Sequence, residues 1–214
     1  TIVSGFAETL VQDDLAPGPR REFAERIVVN TRRMQRIVDD LLDLSRIESG
    51  TWAPKLEDVD LDVLAAETIA AARDAATTKD VALDADIAPE AGAIRADATA
   101  IRQVLGNLVD NAVRYTSGGR VTIFARRTTA GSTELGVRDT GAGISAEHLP
   151  RIFERFYRVD AGRSRDQGGT GLGLAIVRLL VEAHGGRVRA ESTLNAGTTV
   201  VAEFPAEAAE GSIA

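Results

Sequence analysis

Three polar motifs in this chain carry residue types that could bind a phosphorylated ligand. The first is a glycine-rich turn at residues 168–174 (GGTGLGL), which runs directly into the apolar stretch LGLAIVRLLVEAH. Backbone N–H groups at the start of a helix are unpaired and lie at the positive end of the helix dipole, so this turn could bind a phosphate. A glycine cluster alone more often marks an ordinary turn, and the interpretation therefore depends on the other two motifs.

The second motif is a polar helix face within residues 107–116 (NLVDNAVRYT). Asn107 and Asn111 are one helical turn apart and share a face, which Arg114 and Tyr115 extend. Because Mg²⁺ prefers oxygen ligands and keeps several waters, one amide oxygen together with nucleotide phosphates is enough to hold it. For an isolated N-x-x-x-N pattern, two amides hydrogen-bonded to solvent are the more common outcome.

The third motif, residues 139–145 (DTGAGIS), places a carboxylate at the end of an apolar-leaning strand. Asp139 could accept a hydrogen bond from the exocyclic amine of adenine, and Gly141 and Gly143 would let a planar ring approach the backbone. A plain strand-ending turn is one alternative. Another is the D-T-G-A signature of aspartic proteases, which need two aspartates sharing a proton, so that a dimer would have to supply the second.

Between these motifs lie an aromatic cluster and a polar segment. The cluster within residues 151–160 (RIFERFYRVD) is predicted to be core and contains Phe153, Phe156 and Tyr157. The following segment, 161–169 (AGRSRDQGG), is typical either of a lid over a ligand or of a solvated loop. Its arginines, with Arg158, could reach phosphates. His148 and His184 are predicted to be structural, since no serine or cysteine nucleophile motif accompanies them.

Composition excludes several classes of function. The net charge is −7 and the 25 basic residues are dispersed, so no nucleic-acid partner is predicted. The absence of cysteine excludes disulfides and thiolate metal sites, and it suits a reducing compartment. No apolar run approaches the length of a membrane span, and no signal peptide opens the sequence.

The first elements that must position these motifs are two helices. Ile2, Phe6 and Leu10 recur at four-residue steps and predict a helix, whereas residues 12–20 (QDDLAPGPR) are predicted to be a loop because proline lacks the N–H donor. A second helix ending at Gly50 follows from an alternating four-three spacing, the seam residues being Phe23, Ile27, Asn30, Met34, Ile37, Leu41 and Leu44. Met34 is predicted to fill a core, and Asn30 either fixes the register or rotates to the edge.

A hairpin of two helices would expose this apolar seam. Pairing with a second copy in a four-helix bundle would cover it, so we expect a homodimer; the alternative is that the hairpin packs back on the rest of the chain. After a linker carrying Trp52, helices capped by Asp60 and Asp97 mix with strands, and a hairpin of strands closes the sheet. The expected class is α+β, with helices on one face of a mainly antiparallel sheet.

Taken in order, the four segments 107–116, 139–145, 151–158 and 168–176 resemble the nucleotide-binding boxes of bacterial sensor histidine kinases of two-component systems. Residues 5–10 (GFAETL) and 34–50 (MQRIVDDLLDLSRIESG) resemble the two helices of that family's dimerisation domain, and are most similar to the phosphate-regulon class. The resemblance implies a dimerisation and phosphotransfer hairpin at 1–50, a linker at 51–55, a catalytic domain at 56–208 and a tail at 209–214. It also implies a sandwich fold shared with gyrase, the Hsp90 chaperone and MutL, which binds Mg·ATP.

The resemblance assigns roles to individual residues. Asn111 would coordinate Mg²⁺ with Asn107 beside it, and Asp139 would read the adenine amine. Asn107 and Arg158 would be catalytic. Arg158 would stabilise the negative charge of the phosphoryl group during its transfer. The other residues expected at the nucleotide are Arg114, Tyr115, Gly141, Gly143, Ile144, Phe153, Gly169, Thr170, Gly171, Leu172, Gly173 and Leu174.

One part of the family pattern lies outside these residues. The phosphoacceptor histidine belongs to a motif of the form H-E-L-R-T-P-L-T, whose final threonine would align with Thr1. We therefore expect the acceptor just upstream and expect this chain to bind ATP without phosphorylating itself at the usual site. In the intact protein, anchored by upstream membrane segments with this part in the cytoplasm, phosphate would pass from that histidine to a response-regulator aspartate. The alternative is a nucleotide-sensing dimerisation module without transfer activity.

Overall fold

The computed structural model describes residues 2–11, 17–159 and 169–206. Its helices are α1 (Ile2–Val11), α2 (Pro17–Glu48), α3 (Leu61–Thr78), α4 (Ala98–Tyr115) and α5 (Gly173–Ala183). Its strands are β1 (Glu57–Asp60), β2 (Val81–Ile87), β3 (Ala93–Ala96), β4 (Gly119–Arg127), β5 (Thr133–Asp139), β6 (Arg187–Thr193) and β7 (Gly197–Phe204). Within these ranges, no helix has both the length and the apolar character that crossing a bilayer requires.

The two N-terminal helices form the predicted hairpin. The rings of Phe6 and Phe23 stack with centroids 5.4 Å apart and join α1 to α2. The predicted loop over residues 12–20 is wrong at its end, because α2 begins at Pro17. Pro17 and Pro19 lie in the first turn of the helix, where the backbone N–H has no intrahelical partner, so proline removes nothing there. Gly50 follows the helix at φ +66°, as expected of a C′ glycine.

Of the seven predicted seam residues of α2, two are exposed in the single chain and four are half-buried. Met34, predicted to fill a core, is 57% exposed, and Leu41 is 43% exposed. Leu44 is the exception at 3%, because it packs into the core of the sheet-containing part. The amide of Asn30 donates to the carbonyl of Arg26 at 2.8 Å, so it bonds its own helix.

The sheet and its helices have the predicted α+β arrangement. The strand order is β2-β4-β5-β7-β6, with β2 and β4 parallel and the other pairs antiparallel. Helices α3, α4 and α5 pack on the sheet, and the fully buried side chains between the layers include Ile101, Leu105, Ile123, Leu135 and Ile176. The short strand β3 was not predicted; it pairs with β1 in a separate two-stranded sheet.

Asp97 and His184 connect the linker to the helices that carry the polar motifs. Asp97 caps α4 by accepting from Ala100 N at 3.0 Å, and its other oxygen accepts from Lys55 N at 3.1 Å. His184 Nδ1 pairs with Leu180 O at 2.7 Å, while Nε2 accepts from Asp97 N at 3.1 Å. The Trp52 ring lies 6.0 Å from the His184 ring. The structural roles predicted for this histidine and this tryptophan are therefore confirmed.

Candidate functional site

A cavity of about 310 Å³ lies where α4, the end of β5 and the glycine-rich turn meet. Its wall contains most of the residues that the sequence predicted, namely Asn107, Asn111, Arg114, Tyr115, Asp139, Gly143, Ile144, Arg158, Gly169, Thr170, Gly171, Gly173 and Leu174. Gly141, Phe153 and Leu172 are not part of this wall. Leu172 is fully buried and Phe153 packs against the core, so both support the site from behind.

Helix α4 presents its asparagines to the cavity because its opposite face is apolar and buried. The Asn107 amide nitrogen is buried and, among the described residues, has no hydrogen-bond partner. Its Oδ1 lies 3.3 Å from the position of a Cβ added to Gly173, so the amide lies directly against the glycine-rich turn. A buried donor without a partner usually marks a place that water, an ion or a ligand completes.

Asp139 ends β5 and faces the cavity from the sheet. Its Oδ1 accepts from Gly141 N at 2.8 Å and from Thr198 N at 3.3 Å. Burial raises the pKa of this carboxyl, and the two N–H bonds offset only part of that effect. Within the described part of the chain, the second carboxylate oxygen of Asp139 makes no hydrogen bond. It can therefore accept a hydrogen bond from a ligand.

The two glycines after Asp139 have backbone packing roles. A Cβ on Gly141 would lie 2.4 Å from Tyr115 O, which explains the glycine without any ligand. A Cβ on Gly143 would lie 2.1 Å from Thr193 O, and its φ is +67°. Only Gly143 also lines the cavity. The packing of Gly141 against Tyr115 O and Thr116 Oγ1 is thus a second reason for a glycine at this position, and its place beside an adenine ring stays a prediction.

The glycine-rich turn is fixed to the aromatic cluster. Phe156 N donates to Gly171 O at 2.9 Å, and a Cβ on Gly171 would lie 3.0 Å from the Phe156 backbone. Phe156 was predicted to be core but is 60% exposed, at a φ of +59°. Tyr157 is partly buried, and its hydroxyl bonds His148 Nδ1 at 2.7 Å. Most of the predicted lid, including Arg163 and Arg165, lies outside the described residues.

Helix α5 begins at Gly173, beside the cavity. Thr170 Oγ1 accepts from Leu172 N at 3.1 Å and thereby shapes the turn into the helix. The first N–H groups of a helix have no intrahelical acceptor, so this helix start can bind an anion. With Arg114 and Arg158 in the same wall, the turn lies at the cationic part of the cavity.

Sequence reasoning missed two residues of the wall that come from α2, Arg36 and Asp40. Asp40 Oδ2 accepts a hydrogen bond from Thr170 Oγ1 at 3.1 Å, across 130 positions of sequence. The seam pattern of α2 gives no indication of this contact, since Asp40 reads as a solvated helix residue. An apolar part of the wall was also missed; it contains Leu108, Val137, Ile152, Val159 and Val200.

The arrangement can accommodate a nucleotide with a divalent cation. In the described ranges, no cluster of three or more histidine, aspartate or glutamate side chains could hold a metal alone. A cation at Asn111 would therefore take its other ligands from phosphates and water, which is how Mg²⁺ is commonly bound. The partnerless Asn107 amide and the glycine-rich turn fit such a group.

Two family models match the chain. Residues 96–208 match the family described as histidine kinase-, DNA gyrase B-, and HSP90-like ATPase. Residues 1–50 match the His Kinase A (phospho-acceptor) domain.

The chain is also similar to individual proteins. It is 35% identical to the sensor-like histidine kinase SenX3 of Mycolicibacterium smegmatis, over 95% of this chain and 53% of that protein. It is 35% identical to the phosphate regulon sensor protein PhoR of Pseudomonas aeruginosa, over 98% of this chain and 48% of that protein. The chain thus spans about half the length of these curated relatives.

Among solved structures, full-length ShkA in complex with AMPPNP superimposes with a TM-score of 0.77 at 29% identity. The match covers 95% of this chain and 42% of ShkA.

Proposed function

The chain belongs to the bacterial sensor histidine kinases of two-component systems, and on that basis we propose that it is the ATP-binding kinase core of such a protein. Residues 1–50 would form the dimerisation and phosphotransfer hairpin, and residues 56–208 the catalytic domain. The γ-phosphate of ATP would pass to a histidine upstream of Thr1 and then to a response-regulator aspartate. One observation carries the proposal: a single cavity joins the amide face of α4, Asp139 and the glycine-rich turn.

The adenine base would lie at Asp139, against the apolar wall. The carboxylate oxygen not used by Gly141 and Thr198 would accept from the exocyclic amine. Val137 on β5 and its register partner Val200 on β7 supply apolar contact area beside this strand end. The AMPPNP complex of ShkA supports ATP as the ligand of this fold. The D-T-G-A motif would serve nucleotide binding, and the family match supports this role over the aspartic-protease alternative.

The phosphates would lie between α4 and the start of α5. Asn111 would hold Mg²⁺, with Asn107 beside it, and the cation would neutralise charge on the phosphate oxygens. The backbone N–H groups at Gly173 and Leu174 would contact phosphate oxygens. Arg158 would stabilise the transferring phosphoryl group, since catalysis of phosphoryl transfer is mostly positioning and electrostatic stabilisation.

The partners follow from the helical hairpin and the family. The exposed seam of α2, including Met34 at 57% and Leu41 at 43%, would be buried against a second copy of the chain. A response-regulator receiver domain would take the phosphate from the acceptor histidine. The remaining half of the protein would carry the sensing part and its membrane segments, with this part in the cytoplasm.

Calorimetry of the Asn111→Ala variant tests the site. Wild-type protein should bind ATP more tightly with Mg²⁺ than with EDTA, and the variant should lose this difference because the metal ligand is gone. Asn30→Ala, which removes an amide from α2 away from the cavity, is the control and should bind as wild type does. Normal Mg²⁺ dependence in Asn111→Ala would overturn the metal assignment.

Transfer of phosphate needs its own assay. Wild-type chain, mixed with a peptide or domain carrying the intact protein's acceptor helix and γ-labelled ATP, should label that helix. ATP binding without any labelling would instead identify a nucleotide-sensing module that lacks transfer activity.

A further inference from the structure

Helix α2 is docked against the nucleotide-binding part of the chain by several side chains along one face. Leu44 is 3% exposed because it packs into the core. Asp43 Oδ2 accepts from Gln103 Nε2 at 2.8 Å, and Glu48 forms an ion pair with Arg155. These contacts position the next residue of this face toward the amino end, Asp40, at the cavity wall.

The bond between Asp40 and Thr170 joins α2 to the glycine-rich turn. The Thr170 hydroxyl accepts from Leu172 N at 3.1 Å, so its single proton is available for Asp40 Oδ2, also at 3.1 Å. Thr170 lies between Gly169 and Gly171, both of which line the cavity. The carboxylate of α2 is therefore attached to the loop that would contact phosphates.

Asp40 shares the cavity wall with Arg114 and Arg158, but the charged groups that act on its carboxyl are Asp43, Asp39 and Arg36. Burial raises the pKa of this carboxyl, and the nearby carboxylates Asp43 and Asp39 raise it further. The hydrogen bond from Thr170 and the charge of Arg36, one turn earlier on α2, lower the pKa of Asp40, but the net change is upward. A phosphate brought to the same turn would add negative charge beside a carboxylate that is already poorly compensated.

We propose that Asp40 opposes phosphate binding at the glycine-rich turn, so that the docked α2 helix and a bound nucleoside triphosphate weaken each other. The inference rests on the proposed function, because it requires phosphates at this turn. The coupling is reciprocal: if docking through Asp40 lowers the affinity for ATP, then ATP lowers the stability of the docked helix by the same factor. Asp40 would thus act as a positioning residue that releases α2 when the site is loaded.

Asp40→Asn isolates the charge, because asparagine keeps an oxygen that can accept from Thr170. The matched control is Asp39→Asn, which removes the same charge from the neighbouring, exposed position of α2. With Mg²⁺, Asp40→Asn should bind ATP about 5- to 10-fold more tightly than wild type, which corresponds to about 1 to 1.4 kcal/mol. Asp39→Asn should stay within about twofold of wild type, since an exposed charge is screened.

A series of nucleotides identifies the phosphates as the cause. The gain in Asp40→Asn should shrink from ATP to ADP and disappear with AMP, because the repulsion depends on the charge at the turn. The reciprocal effect is measured by amide hydrogen exchange: ATP should speed exchange in residues 36–48 of wild type, and should do so less in Asp40→Asn.

The outcomes separate the two proposals. Normal ATP binding by wild type with unchanged or weaker binding by Asp40→Asn would overturn the role of Asp40 and leave the proposed function intact. A gain of equal size for AMP would also overturn it, since charge at the turn would not be the cause. Failure of wild-type protein to bind ATP at all would overturn the proposed function, and this inference with it.

Discussion

Asp139→Asn gives the sharpest test of how the cavity recognises its base, because it changes charge and hydrogen bonding at one atom. In the wild-type protein, Asp139 Oδ1 accepts from Gly141 N at 2.8 Å and from Thr198 N at 3.3 Å. The asparagine oxygen can accept both hydrogen bonds, so the local backbone should keep its shape. The amide NH₂ would then face the cavity where the carboxylate oxygen had been. A donor would meet the amine of adenine, itself a donor.

The expected loss of affinity follows from the bond that is removed. A hydrogen bond to a charged group contributes about 1.5–3 kcal/mol, so ATP should bind about 10- to 100-fold more weakly. Guanine presents a carbonyl oxygen at the position of the adenine amine, and the new NH₂ can donate to it. The preference of Asp139→Asn for ATP over GTP should therefore shrink far below that of wild type.

The same change should stabilise the nucleotide-free protein at neutral pH. Burial raises the pKa of Asp139, so the folded protein holds this proton more tightly than the unfolded chain does. The free energy of unfolding contributed by this group therefore falls as the pH rises from the unfolded-state pKa through the folded-state pKa, and the loss is complete above the latter. Asp139→Asn has no titrating group at this position and avoids this loss. The excess of its free energy of unfolding over that of wild type should therefore be largest at pH 7 and should vanish at acidic pH.

Calorimetric titration and thermal unfolding measure both effects on the same samples. Asp74→Asn, an exposed carboxylate on α3 outside the cavity wall, makes the same charge change and should alter neither quantity measurably. ATP affinity within about twofold of wild type in Asp139→Asn would refute the adenine assignment. Lower stability than wild type at pH 7 would refute the burial argument.

Two further predictions concern stability and assembly. Gly143→Ala should lower Tm, because an alanine in the left-handed region costs about 1–2 kcal/mol and its Cβ would lie 2.1 Å from Thr193 O. The control Gly106→Ala in α4 should raise Tm, because no atom lies within 4 Å of the added Cβ and alanine favours the helix. Met34→Lys should weaken the dimer in sedimentation velocity, because Met34 is 57% exposed in the single chain and would be buried in the dimer. The control Gln35→Lys, at an exposed position beside the seam, should leave the dimer unchanged. A monomeric wild type would refute the dimer.

Local signals in the sequence predicted most of the elements, since each depends on residues close along the chain. Asp60 and Asp97 cap α3 and α4 through N–H groups three residues later, at 3.0 Å in both cases, as their positions indicated. The period-two strands and the amphipathic α4 were likewise predicted correctly. The asparagine face of α4 and the position of Asp139 follow from these elements, which is why most of the cavity wall could be predicted.

The errors arose where context reverses a local preference. Proline predicted a loop at residues 12–20, but Pro17 and Pro19 occupy a first helical turn that needs no N–H donors. An aromatic cluster predicted core, but Phe156 is 60% exposed because its backbone, at φ +59°, bonds Gly171. Strand β3 has four residues and one buried large apolar side chain, too little to show a period.

Asp40 shows what no local pattern can supply. On α2 it is one of several carboxylates, and its spacing from the seam residues marks it as polar surface. Its role depends on Leu44 packing into the other part of the chain, which brings Asp40 to Thr170 across 130 positions. Helix α2, which we propose for dimerisation, thereby completes the wall of the proposed nucleotide cavity. Asp40 belongs both to the docked face of α2 and to the cavity wall. We therefore expect a change in the docking of α2 to change phosphate binding at the cavity, and by linkage we expect phosphate binding to change the docking of α2.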